Sequence, residues 1–112
     1  MKKYNVGLTD DAVKDIDYLH NYIKYHLRSP ITAQRQCARI SKAIFSLELF
    51  PERYKVFAYE DEEPIRRMVI DNFSVFYLAR NDYVYVLHIF YSKSDLKERF
   101  LIDKDFGIIV PY

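Results

Sequence analysis

Apolar and polar positions change period twice along this chain. At the start, KKYNVGL alternates and places Tyr4, Val6 and Leu8 on one side, which predicts a first strand. From Thr9 the spacing lengthens to three and four. Ala12, Val13, Ile16, Leu19, Ile23 and Leu27 then form one stripe, with Lys14, Asp15, Asp17, His20, Asn21 and Lys24 around it, the pattern of an amphipathic helix. Thr9 can offer its hydroxyl to a free N–H of the first turn, and Asp10 and Asp11 suit the positive end of the helix dipole. Arg28, Ser29 and Pro30 close this helix and open another, because proline has no N–H to donate and its φ suits a first helical position. The second helix is expected from about Ile31 to Phe50, with Ala33, Cys37, Ile40, Ile44 and Leu47 buried and Pro51 as its stop. Two helices joined so tightly should form a hairpin.

Residues 52–64, ERYKVFAYEDEEP, show no period and read as a surface loop with one extended segment at Lys55–Tyr59. Strand-like runs follow in PIRRMVI, FSVFYLAR and YVYVLHIFY. Their joints, Asp71-Asn72 and Asn81-Asp82, tolerate left-handed turn geometry, so consecutive strands should be antiparallel. The fold class is therefore α+β: an N-terminal strand, a two-helix hairpin, then a three-stranded antiparallel meander, with the helices on one face of the sheet. At 112 residues the chain suits one domain, since a second core would bury too little apolar surface to offset the entropy of ordering it.

A sheet covered on one face leaves the other open, and period two assigns the residues. Phe73, Val75, Tyr77 and Ala79 form one row of the middle meander strand, and Ser74, Phe76, Leu78 and Arg80 the other. The row ending in Arg80 is expected on the open face. Phe76 and Leu78 would then be exposed and suited to a protein partner, unless the tail FLIDKDFGIIVPY covers them. Arg66 and Arg67 go one to each face. Lys93, Tyr91, Arg80 and one of those arginines are expected to converge at one edge of the open sheet.

Composition changes this picture little. Half the residues are hydrophobic, with eleven Tyr and eight Phe, which supplies a core and excludes a disordered chain. The lone Cys37 has no disulfide partner and fits a reducing cytoplasm. No stretch is long and apolar enough for a bilayer, so neither a membrane nor secretion is expected.

Charge changes it more, because the net +1 conceals segregation. Tyr18 through Leu47 contains no Asp or Glu but holds Lys24, Arg28, Arg35, Arg39 and Lys42. Arg35, Arg39 and Lys42 share a face of the second helix, a basic ridge able to meet an acidic partner or simply solvated.

Several chemistries are absent from the sequence: a carboxylate dyad, Cys/His ligand spacing, a Gly-rich phosphate loop and a Ser-His-Asp set. Neither metal nor cofactor is expected. His88, among Val84, Val86 and Phe90, reads as a core histidine. A cluster of Arg, Lys and Tyr can hold phosphates and stabilise developing negative charge, as cleavage of an RNA backbone requires, with Lys or Tyr moving protons. The ordinary alternative pairs Lys93 with Asp95 at the surface and has Tyr91 close the core.

The segment IRRMVIDNFSVFYLARNDYVYVLHIFYSKSDL, with the preceding strand, two helices and a break at LELFPERY, resembles the RelE/ParE superfamily of bacterial type II toxins. The likeness spans roughly residues 3–97 and leaves 100–112 as a C-terminal extension of a single 1–112 domain. It implies a growth-inhibiting toxin held inactive by a cognate antitoxin, which would meet Phe76, Leu78, Arg80, Arg35 and Arg39. Two targets are implied. The RelE branch cuts ribosome-bound mRNA. By that likeness Lys93 occupies the place of a basic or imidazole side chain, Arg67 (or Arg66 in a slipped register) that of the phosphate-contacting arginine, and Tyr91 stands beside them. The ParE branch inhibits DNA gyrase and is not a nuclease. Ser74 replaces an arginine usual in the RelE branch, and Phe100 lies near the place of an expected tyrosine, which leaves room for the ParE branch. A binding module without toxicity is the third reading.

Overall fold

A computed structural model describes residues 2–26, 30–71 and 73–91, with Tyr22, Ile23, Lys24, His26, Pro30, Ala33 and Tyr91 described by their backbone alone. The chain begins with β1 (Asn5–Leu8), α1 (Asp10–His26) and α2 (Pro30–Phe45). Two single 3-10 turns follow at Ser46–Glu48 and Pro51–Arg53, then β2 (Val56–Glu60), β3 (Glu63–Ile70), β4 (Phe73–Arg80) and β5 (Tyr83–Tyr91). The strands lie in the order β1-β5-β4-β3-β2. Only β1 runs parallel to its neighbour, with Asn5 opposite Tyr83 and Leu8 opposite Val86. The Thr9 hydroxyl accepts the Ala12 N–H at 3.2 Å and donates to the Leu87 carbonyl at 3.1 Å. One oxygen thus caps α1 and fastens it to β5.

The α+β class and the one-sided helix cover are as the periodicity predicts. Leu19, Ile40, Ile44 and Leu47 are buried against Met68, Phe73, Val75, Tyr77, Val84, Val86 and Ile89. Three details differ. The meander has four strands, because the extended segment before Pro64 pairs with β3. Its turn, Asp61-Glu62, has positive φ at both residues, 49° and 68°, the geometry of a tight hairpin that sequences usually mark with Asn-Gly. Without that mark the hairpin is invisible to turn chemistry.

The second helix is shorter than predicted. It stops at Phe45, where Ser46 Oγ donates to the Ala43 carbonyl and Arg53 Nη1 gathers the carbonyls of Ser46, Leu49 and Phe50. A guanidinium here satisfies groups that another helical turn would otherwise have paired.

In α1, Val13 is 45 % exposed whereas Asp15, assigned to the polar face, is 4 % exposed. The stripe has turned because β5 outruns β1. The Ile89 amide, beyond the last β1 pairing, donates to Asp15 Oδ2 at 3.0 Å, and that carboxylate also meets His88 Nδ1 at 3.1 Å. The core histidine is therefore satisfied by a carboxylate, as buried polar groups must be.

Candidate functional surface on the open sheet face

Alternation along β3 sends Ile65 and Arg67 to the face away from the helices and Arg66 and Met68 towards them. The doubled arginine is divided between faces as predicted. Arg66 Nη1 donates to the carbonyls of Glu52 and Tyr54 at 3.0 and 2.7 Å, bracing the loop before β2. Arg67 donates through Nε to Ser74 Oγ at 3.1 Å. Its side chain is exposed, and its Nη groups have no partner among the described residues. Ser74, which departs from the RelE pattern, thus orients the arginine that remains.

Strand register separates the predicted cluster. Phe73 lies opposite Tyr91 and Ser74 opposite Phe90, so Arg67, Ser74 and the backbone of Tyr91 share one end of the sheet. Arg80 lies opposite Tyr83 at the other end, about 25 Å away at the rise of an extended strand. The expected convergence of Arg80 with Tyr91 does not form. Arg80 instead holds Glu63 through Nε and Nη2, both at 2.7 Å. That hydrogen bonding, with the attraction of the guanidinium, keeps the Glu63 carboxyl below its ordinary pKa and raises that of Arg80. Lys93 lies outside the described residues.

Phe76 and Leu78 face the expected way but are not exposed. They are 1 % and 8 % exposed and pack with Ile65, Phe90, Phe57 and Leu87. The Phe57 ring meets Phe76 edge-on at 4.9 Å, Phe76 lies 6.0 Å from Phe90, and His88 stacks on Phe90 at 5.3 Å. Period two identifies a face; it does not say how neighbouring strands fill it. Two other aromatics, Tyr83 and Tyr85, are exposed and stacked at 5.8 Å. The same alternation in YVYVLHIFY would have pointed to them.

On α2, Arg35, Arg39 and Lys42 are all exposed. Arg39 is drawn to Asp71 in the β3–β4 turn at 2.8 Å, so the ridge is partly neutralised. Among the described residues no group of three or more His, Cys, Asp or Glu could hold a metal, and no helix is long and apolar enough to cross a membrane. Among the described residues, what the open face offers chemically is one oriented arginine able to hold an anion, beside a packed apolar centre and an aromatic far end.

A family model described as the ParE toxin of type II toxin–antitoxin system, parDE, matches residues 6–96. No curated protein matches the chain. Among solved structures it is similar to the chromosomal ParDE system of P. aeruginosa, with TM-score 0.66, 17 % identity, and 78 % of this chain and 94 % of that one covered. It is also similar to the toxin–antitoxin complex RelBE2 of Mycobacterium tuberculosis, with TM-score 0.60, 18 % identity, and 81 % and 93 % covered. An archaeal RelE–RelB complex from Pyrococcus horikoshii OT3 gives TM-score 0.52, 14 % identity, and 82 % and 98 % covered. At such identities the likeness is one of fold.

Proposed function

The chain belongs to the ParE toxins of type II toxin–antitoxin systems, and from that membership we propose that it arrests growth by binding DNA gyrase, without cutting RNA, and that a cognate antitoxin holds it inactive. The observation that carries this reading is that, among the described residues, the basic groups RNA cleavage would need are dispersed. Arg66 braces a loop on the helix side, Arg80 is held by Glu63 at the far end, and Ser74 stands where a second phosphate-binding arginine would help. Stabilising a developing charge takes several donors aimed at one point. Among the described residues of this face Arg67 is then a single contact for an anion, which suits a binding protein.

The solved relatives are themselves toxin–antitoxin complexes, which supports the antitoxin partner. Its docking surface includes the exposed Arg35, with Arg39 available once Asp71 is displaced, since an acid-free helix attracts an acidic partner. Phe76 and Leu78 drop out of the contact set, being buried in the free chain.

Pulse labelling after induction in a bacterial host tests the target. DNA synthesis is expected to fail and the DNA-damage response to rise while amino-acid incorporation continues at first. Immediate arrest of incorporation with cut messenger RNA would instead favour an mRNA endoribonuclease. One observation leans that way: the Nη groups of Arg67, without a partner among the described residues, lie at the end of the sheet where β5 closes at Tyr91, two residues before Lys93 in sequence.

A further inference from the structure

On the face opposite Arg67 two hollows meet. One, of about 540 Å³, is lined by Lys2, Tyr4, Phe50, Glu52 and Arg53. The other, of about 230 Å³, is lined by Tyr4, Glu52, Pro64, Arg66, Ala79 and Asn81. Tyr4 and Glu52 belong to both, so the two form one cleft with Glu52 at its waist.

The ends of the cleft differ in chemistry. At one end Phe50 sits in the left-handed region, φ 50° and ψ 55°, with its residue surface 62 % exposed. A bulky residue is disfavoured in that conformation, and an exposed ring returns little burial for it. Arg53 nevertheless holds the Phe50 carbonyl together with those of Leu49 and Ser46, so the conformation is built in. Backbone strain of this kind gathers at ligand sites. Tyr4 forms a second aromatic wall, with Lys2 Nζ 4.6 Å from its ring centre. At the other end Arg66 is half-buried. Its Nη1 is occupied by two carbonyls, while Nε and Nη2 have no partner among the described residues. The Glu52 carboxylate between them forms no ion pair among the described residues.

Aromatic wall, carboxylate, then guanidinium is the order of groups that receives a base, a sugar bearing hydroxyls, and a phosphate. We propose that this cleft binds a nucleoside monophosphate moiety, with the base on Phe50 and Tyr4, ribose hydroxyls donating to Glu52, and the phosphate on Arg66. Stacking on an aromatic ring accepts any base, a carboxylate can only accept hydrogen bonds, and a guanidinium fits phosphate oxygens in pairs. The moiety has two sources, a free nucleotide or a residue of a single-stranded RNA. The proposal lies on the other face from Arg67 and does not depend on the gyrase reading.

Titration calorimetry of the purified chain with AMP, adenosine and a five-residue oligoadenylate tests it. AMP is expected to bind about tenfold more tightly than adenosine, the weight of a charge-assisted contact to Arg66. Phe50→Gly is expected to weaken AMP binding about tenfold through lost stacking. Glycine adopts φ 50° freely, so this variant unfolds no earlier than the parent. Arg66→Lys, which keeps the charge and loses the fork, is expected to narrow the preference for AMP over adenosine, a ratio that a shared shift of the loop Arg66 braces leaves unmoved. An oligoadenylate about tenfold tighter than AMP identifies a strand as the source, and equal affinities a free nucleotide. Absence of AMP binding by the parent chain overturns the proposal, as does a folded Phe50→Gly variant that binds AMP like the parent.

Discussion

Asp15 and His88 lie 73 positions apart in sequence, yet one carboxylate oxygen of Asp15 meets the imidazole Nδ1 at 3.1 Å and the Ile89 N–H at 3.0 Å. Both side chains are 5 % exposed. The contact lies on the edge of β5 beyond its last pairing with β1, and it positions the imidazole that stacks on Phe90 of the open face. A single carboxylate therefore links the helix layer to the aromatic cluster on the other side of the sheet.

Replacing Asp15 by Ala leaves a buried amide and a buried imidazole without their acceptor. The expected loss is about 2–4 kcal/mol, and about half that for Asn, which keeps one acceptor. Urea unfolding of the three proteins measures it. Equal midpoints for parent and Ala variant would show that the pair contributes nothing.

Tyr77 is fully buried and donates its hydroxyl to the Pro51 carbonyl, tying β4 to the loop that contains Phe50. Tyr77→Phe should cost about 1–2 kcal/mol. Burial pushes the phenol above its ordinary pKa, more than the nearby Arg66 and Arg53 lower it. A raised folded-state value means that this contribution is complete below about pH 10, the unfolded value, and is lost as pH rises beyond it. Stability profiles from neutral to strongly alkaline pH should fall less steeply for Tyr77→Phe than for the parent.

The Asp61-Glu62 turn carries two left-handed residues without a glycine. Glu62→Gly removes the steric penalty at φ 68° and should stabilise by about 0.5–1 kcal/mol, with Asp61→Asn adding less. A fall in melting temperature for the glycine variant would mean that Glu62 has a contact outweighing its backbone strain.

Glu63 and Arg80 form a paired but solvent-facing link, so its stabilisation is small and screened by salt. The depressed carboxyl places its pH effect on the acid side. The contribution is present above the ordinary carboxylate range and lost as pH falls through the lowered value. Glu63→Gln should remove this part of the acid decline at low ionic strength and change little at neutral pH in high salt.

Toxicity of Lys93→Ala separates the two targets at single-residue resolution. Under the gyrase reading the variant arrests growth as the parent does. Growth restored by Lys93→Ala, with the melting temperature unchanged, would return the chain to the RNA-cleaving class.

What the linear order of residues determined was whatever depends on near neighbours. Periods of two and of three to four reveal the strands and helices, Thr9 the start of α1, and alternation the division of Arg66 from Arg67 and the facing of Ser74, Phe76, Leu78 and Arg80. These follow from backbone geometry that repeats over a few residues. Pairings between distant segments were decided by the tertiary structure. Placing β1 beside β5 left the Ile89 amide for Asp15 and drew a charge into the core. Hydrogen-bond register set Arg80 opposite Tyr83 and a strand's length from Tyr91, and a hairpin without Asn or Gly added β2, whose Phe57 packs on Phe76. The physical reason is that burial and electrostatic pairing belong to surfaces brought together in space. Asp15 and Ile89, for example, lie 74 residues apart, beyond the reach of any local period.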